Sequence, residues 1–269
     1  ILTEVAHATP TPRYYDPKKK PKNVGRKPSD GTEIFYPYPW KGGESHFRDA
    51  VDYMITASVG ILDLAADKKD EFLYNIYAMG RDAINDSDEA FAYIIPKNQW
   101  NPSEAINLAN ILMQGGVRVH QTTKPLTIND KTYEKESIII YGAQSFRPYL
   151  VDLMEKQNYP DQFLYPGGPP QPPYDLAGWT LPLQMGIEVD RINKSFEAQS
   201  RLITSKLQYA AGKVSGVGHY LFSNKDNLSA LVVNRLQKAG FIVGQLNSKQ
   251  AGFSQGSFVV ESAGLLKNE

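Results

Sequence analysis

Ala92-Tyr93-Ile94-Ile95-Pro96 is an apolar run of strand length, closed by a proline and followed by a helical stretch from about Ser103 to Met113. Gly115-Gly116-Val117-Arg118-Val119 comes next, and Ser137-Ile138-Ile139-Ile140-Tyr141 later. The same order recurs downstream. His219-Tyr220-Leu221-Phe222-Ser223 precedes a helix from about Leu228 to Lys238, then come Ala239-Gly240-Phe241-Ile242-Val243 and Ser257-Phe258-Val259-Val260-Glu261. Asn110 and Leu112 stand at the same distance before their glycine as Asn234 and Leu236. Gly116 and Gly240 suit the left-handed position that ends a helix. Buried strands flanking a helix predict parallel βαβ units. Two of them, at about 90–145 and 214–264, predict an α/β class with an open, mostly parallel sheet, flavodoxin-like or Rossmann-like in layout.

Between the copies lies a proline-rich crossover. Tyr165-Pro166-Gly167-Gly168-Pro169-Pro170-Gln171-Pro172-Pro173-Tyr174-Asp175 excludes helix and central strand. Trp179 to Gly186 then supplies Trp179, Leu181 and Met185, which suit an ordered crossover better than a linker.

Upstream of the repeat, Phe47, Val51, Met54, Ile55, Ser58, Ile61, Leu62 and Ala65 keep the spacing of one helical face, predicting a helix over 44–66. A second helix is expected over 68–85. Residues 6 to 43 carry seven prolines and read as a long loop with little regular structure. The opening Ile1-Leu2-Thr3-Glu4-Val5, without a Met, reads as a strand already under way inside a domain.

The 269 residues carry 29 basic and 29 acidic side chains and no cysteine. Charge balance gives no global case for nucleic acid or a membrane surface. The missing cysteines exclude disulfides and thiolate metal sites. No apolar run reaches the length of a spanning helix.

Few residues carry a chemical signal. Glu4 ends an apolar strand, where a carboxylate can reach a cleft at the edge of a sheet or simply lie exposed. His7 is close enough to share that cleft, or is a surface histidine. His46 and Asp49 form HxxD at the start of the first helix, and His120 and His219 flank strands. No three of these complete a zinc site, which needs three protein ligands and an open position. The phosphate-binding loop and GxGxxG are missing from the sequence. Gly216-Val217-Gly218 precedes a strand instead of following one and reads as a turn. The aromatic and proline segment 159–179 suits core packing, or a peptide or sugar.

The opening phrase resembles the last part of a carboxypeptidase A-like zinc peptidase domain, in which a strand carries the catalytic glutamate, a loop follows and a long helix closes the domain. His46-Phe47-Arg48-Asp49-Ala50-Val51-Asp52-Tyr53 is similar to that closing helix in large bacterial members. Pro96-Lys97-Asn98-Gln99, Gly115 to His120, Gln157-Asn158-Tyr159-Pro160-Asp161 and Pro173 to Gly186 resemble the extension after the peptidase domain in those members. That extension looks like a glutamine-amidotransferase-type α/β domain without its nucleophile.

The resemblance implies residues 1–85 as the end of the peptidase domain and 86–269 as the extension. It implies Glu4 as the general base acting on a zinc-bound water, with zinc ligands and the carboxylate-holding arginine upstream of this sequence. It further implies a peptide or protein substrate, and a secreted or periplasmic location. The alternative is a non-catalytic α/β module that binds peptide or glycan, or a degenerate peptidase.

Overall fold

The computed structural model describes residues 10–24, 27–32, 34, 36–86, 90–157, 160–171, 180–209, 212–216 and 218–261. The chain divides into two compact units, 1–76 and 77–269, with the boundary inside a helix.

In the first unit, the loop expected over 6–43 holds short ladders. Strand β1 (Arg13–Tyr15) pairs antiparallel with β4 (Gly43–Ser45), and β2 (Asn23–Val24) with β3 (Lys27–Pro28). The prolines keep these strands to two or three residues, because each removes a backbone donor. Tyr15 and Trp40 meet edge to face at 5.3 Å, and Lys20 pairs with Asp30 at 2.7 Å. Helix α1 (Phe47–Asp67) begins at His46, whose backbone N–H donates to the Asp49 carboxylate at 2.8 Å. Helix α2 (Lys69–Asn85) follows one residue later, and the Phe72 N–H donates to Lys68 O at 3.0 Å.

The second unit is built on two sheets. The larger has the order β10-β5-β9-β6-β11, from β5 (Ala92–Ile95), β6 (His120–Thr122), β9 (Ile138–Tyr141), β10 (Asp190–Ile192) and β11 (Ser200–Leu202). The hairpin β7 (Leu126–Ile128) with β8 (Lys131–Tyr133) lies between β6 and β9 in sequence. The smaller sheet has the order β12-β14-β13, from β12 (Tyr220–Phe222), β13 (Val243–Gln245) and β14 (Phe258–Val260). Helices α3 (Pro102–Gln114), α4 (Arg147–Met154), α5 (Leu181–Met185) and α6 (Leu228–Lys238) complete the unit. No helix among the described residues is long and apolar enough to cross a membrane.

The α/β class is observed, but the mostly parallel sheet is not: among the described residues every strand pairing is antiparallel. Strands β5 and β6 do run the same way across helix α3, as a βαβ crossover requires. They are not neighbours, because β9 lies between them antiparallel to both. This is a split βαβ unit. In the second copy β12 and β13, joined through α6, flank β14 in the same manner. The three-strand order β5-β9-β6 is thus repeated as β12-β14-β13, and Gly116 and Gly240 share φ 88° at their helix ends.

The misleading signal was the unbroken apolarity of 92–95 and 138–141. Such runs mark strands buried on both faces, which is usual for parallel sheets. Here both faces are covered by other means. Tyr93, Ile95, Ile138 and Ile140 pack on Leu108 and Leu112 of α3 and Leu150 and Met154 of α4. Ala92, Ile94 and Ile139 face Ile128 and Tyr133 of the β7–β8 hairpin and Phe196. Each fully buried Leu or Ile contributes about 1.5–3 kcal/mol.

Candidate functional site

Glu4 and His7 lie outside the described residues, as do residues 172–179 of the crossover. The remaining sequence candidates are described in turn. His46 is half-buried at the start of α1, its ring 3.5 Å from Glu44 and 3.8 Å from Asp49, so the HxxD pair serves the helix start. His219 is an exposed residue ahead of β12. His120 sits on β6 with its ring edge-on to Tyr141 at 5.2 Å. Its Nδ1 is buried without a hydrogen-bond partner, and burial, aided by the Arg118 charge, lowers its pKa. Among the described residues no group of three His, Asp or Glu side chains could hold a metal ion. They do not fit a catalytic zinc by themselves.

Two polar constructions organise the second unit. In the first, Lys131 Nζ donates to Glu188 at 2.7 Å and to Asp190 at 2.6 Å. That bonding raises the Lys131 pKa. Burial, with a hydrogen bond to Asp190, pushes the Tyr133 phenol up to about 12. The pair fastens the β7–β8 hairpin to the segment carrying β10.

The second construction joins the two repeats. Asp226 accepts from Leu228 N–H at 2.8 Å and from Ser103 N–H at 3.0 Å, so one carboxylate serves the first turns of both α6 and α3. Asn101 Oδ1 accepts from Asn227 N–H at 3.2 Å and from Ser103 Oγ at 3.1 Å. Lys225 Nζ lies 4.7 Å from the centre of the Trp100 ring. Helix starts leave backbone donors unpaired, and an acidic oxygen there satisfies donor and dipole together.

A groove of about 810 Å³ lies beside α3. Glu104, Asn107, Ile111 and Gln114 recur at helical spacing and form one wall. Residues 202 to 206, which continue from β11, form the other, and Val117, Arg118 and Met185 also line it. The second wall is held in place by Asn110, whose amide donates to Leu207 O at 3.1 Å and accepts from Leu207 N–H at 2.9 Å. Tyr209 donates to Asn107 at 2.6 Å. The volume suits a small ligand or a short chain segment. Its polar lining includes Glu104, Asn107, Arg118 and Lys206.

The sequence reading singled out Asn110 only as a mark of the repeat, and it missed Asp226 and the groove. Both depend on residues about a hundred positions apart meeting in space. Comparison with known proteins gives no matching family model, no matching curated protein and no matching solved structure.

Proposed function

We propose that the chain is the C-terminal part of a zinc metallocarboxypeptidase, with Glu4 as general base of peptide hydrolysis and the zinc ligands upstream. The extension is then the pair of split βαβ units, and the protein is secreted or periplasmic with a peptide or protein substrate. The reading rests on the phrase around Glu4 and on the order of glutamate, loop and long helix.

The observation that carries it is the surface of that helix. On α1, Tyr53 and Leu64 lie on one side, Met54 and Ile61 on the next, and Ile55, Val59 and Leu62 on another. All seven are exposed; Tyr53 is 69% and Leu62 68% accessible. Only Ala50 of the helix is buried. An exposed apolar surface of that width, opposed by one stripe of Asp49, Asp52, Thr56, Asp63 and Asp67, calls for a covering body. A closing helix of a peptidase domain has that requirement.

The test is made on the complete protein. Zinc content and release of C-terminal amino acids from peptides are measured for the wild type and for Glu4→Gln. The reading expects zinc in both and hydrolysis in the first. A protein without zinc and without hydrolysis favours the second reading, a non-catalytic α/β binding module. The groove beside α3 supports that alternative.

A further inference from the structure

Strand β11 is the outer strand of the larger sheet, and no strand pairs with its other side among the described residues. Its inner bonds are set by two contacts: Thr123 N–H donates to Gln199 O at 2.8 Å, and Ile203 N–H donates to Val119 O at 2.9 Å. Bonded and non-bonded pairs alternate along an antiparallel ladder. The backbone N–H and C=O groups of Ser200 and Leu202 therefore point to the open side. Leu202 then leads directly into the wall of the groove.

The charge of the groove is one-sided. Arg118 and Lys206 both line it, and neither forms an ion pair among the described residues. Glu104, its one carboxylate, already accepts a hydrogen bond from Asn227 Nδ2 at 3.3 Å. Cations beside a bare edge discourage pairing with neutral or basic strands. They favour an acidic one through charge complementarity.

We propose that the open edge of β11 and the adjoining groove bind an extended acidic peptide, added as a sixth strand beside β11. Backbone bonds to Ser200 and Leu202 would supply register, and Arg118 and Lys206 would receive its carboxylates. This is strand addition with alternate side chains reading the groove. It concerns the second unit alone and does not depend on the peptidase reading.

The probe is a blocked hexapeptide of alternating valine and glutamate, with a glutamine counterpart as control. Binding to the full chain is measured by calorimetry at low and at high salt. The acidic peptide should bind saturably, weaken with salt, and exceed its control by about tenfold or more, a difference of ~1.4 kcal/mol. Arg118→Gln and Lys206→Gln should each remove most of that preference. Leu202→Pro deletes an outward N–H and should abolish binding of both peptides while the far-ultraviolet dichroism stays unchanged. If that variant does not fold, the two charge variants decide. Equal affinity for the two peptides, no saturable binding by the wild type, charge variants that keep the full preference, or a folded Leu202→Pro that still binds would each overturn the proposal.

Discussion

At the scale of single residues, Asp226 is the one whose removal should be felt most widely. Its two oxygens receive backbone donors from the first turns of α3 and α6, which begin in different repeats. Loss of one capping oxygen costs about 1 kcal/mol. Asp226→Ala should therefore cost about 2 kcal/mol in urea unfolding, while Asp161→Ala, an exposed carboxylate, should change little. The repeat also explains two buried serines. Ser137 Oγ accepts from Lys97 N–H at 3.1 Å after β5, and Ser257 Oγ reaches Asn224 Oδ1 at 3.5 Å after β12. Each ties the loop after its first strand to the start of the central one. The sequence exhibited both serines at matching places, yet their burial depends on the sheet around them.

His120 gives a residue-scale prediction in pH. Burial favours its neutral form, with Arg118 acting in the same direction, so its folded pKa lies below that of the unfolded chain. A depressed pKa means that the unfolded state takes up the proton first. The contribution of His120 is therefore complete above about pH 6.5 and is lost as pH falls below it. His120→Gln has no such titration. The stability difference between wild type and variant should shrink or reverse between neutral pH and pH about 5, measured by urea unfolding. A difference that does not change with pH would show that the ring is solvated in the folded state.

Among the elements, the sequence exposed helices α3 and α6 and the strands of the two repeats, but not α4, α5, β10 or β11. The helices came from periodicity and from stop glycines: Gly116 and Gly240 both occupy the left-handed region that a β-carbon disfavours. The common direction of β5 and β6 was also legible, because a helical crossover returns the chain to the same end of the sheet. The neighbour relation was not. It is decided by the β7–β8 hairpin, which turns the chain so that β9 enters between the two parallel strands. The hairpin then covers the second face of the sheet, which makes 92–95 and 138–141 uniformly apolar. One sequence pattern thus has two physical causes, and local periodicity does not separate them. The groove was hidden for a related reason: its walls are 104–118 and 202–206, and side chains such as Asn110 and Tyr209 tie them together.

For the whole molecule, the exposed apolar side chains of α1 and α2 depart from ordinary protein surfaces. On α2, Leu73, Ile76 and Met79 are also exposed, Met79 at 70%. Exposed apolar side chains in that number mark an interface or an aggregation liability. The chain alone should therefore self-associate and bind a hydrophobic dye. Leu62→Lys combined with Leu73→Lys should reduce both effects in light scattering and dye fluorescence, without lowering the unfolding midpoint of the second unit. Unchanged association in the double variant would place the sticky surface elsewhere.

The most direct measurement of the central claim is the turnover of a peptide by the complete protein carrying Glu4→Gln, compared with its wild type at equal zinc content. A general base contributes typically about 100- to 10,000-fold, so the account predicts a fall of that order in kcat with the metal retained. A variant that keeps a near-normal rate would contradict it.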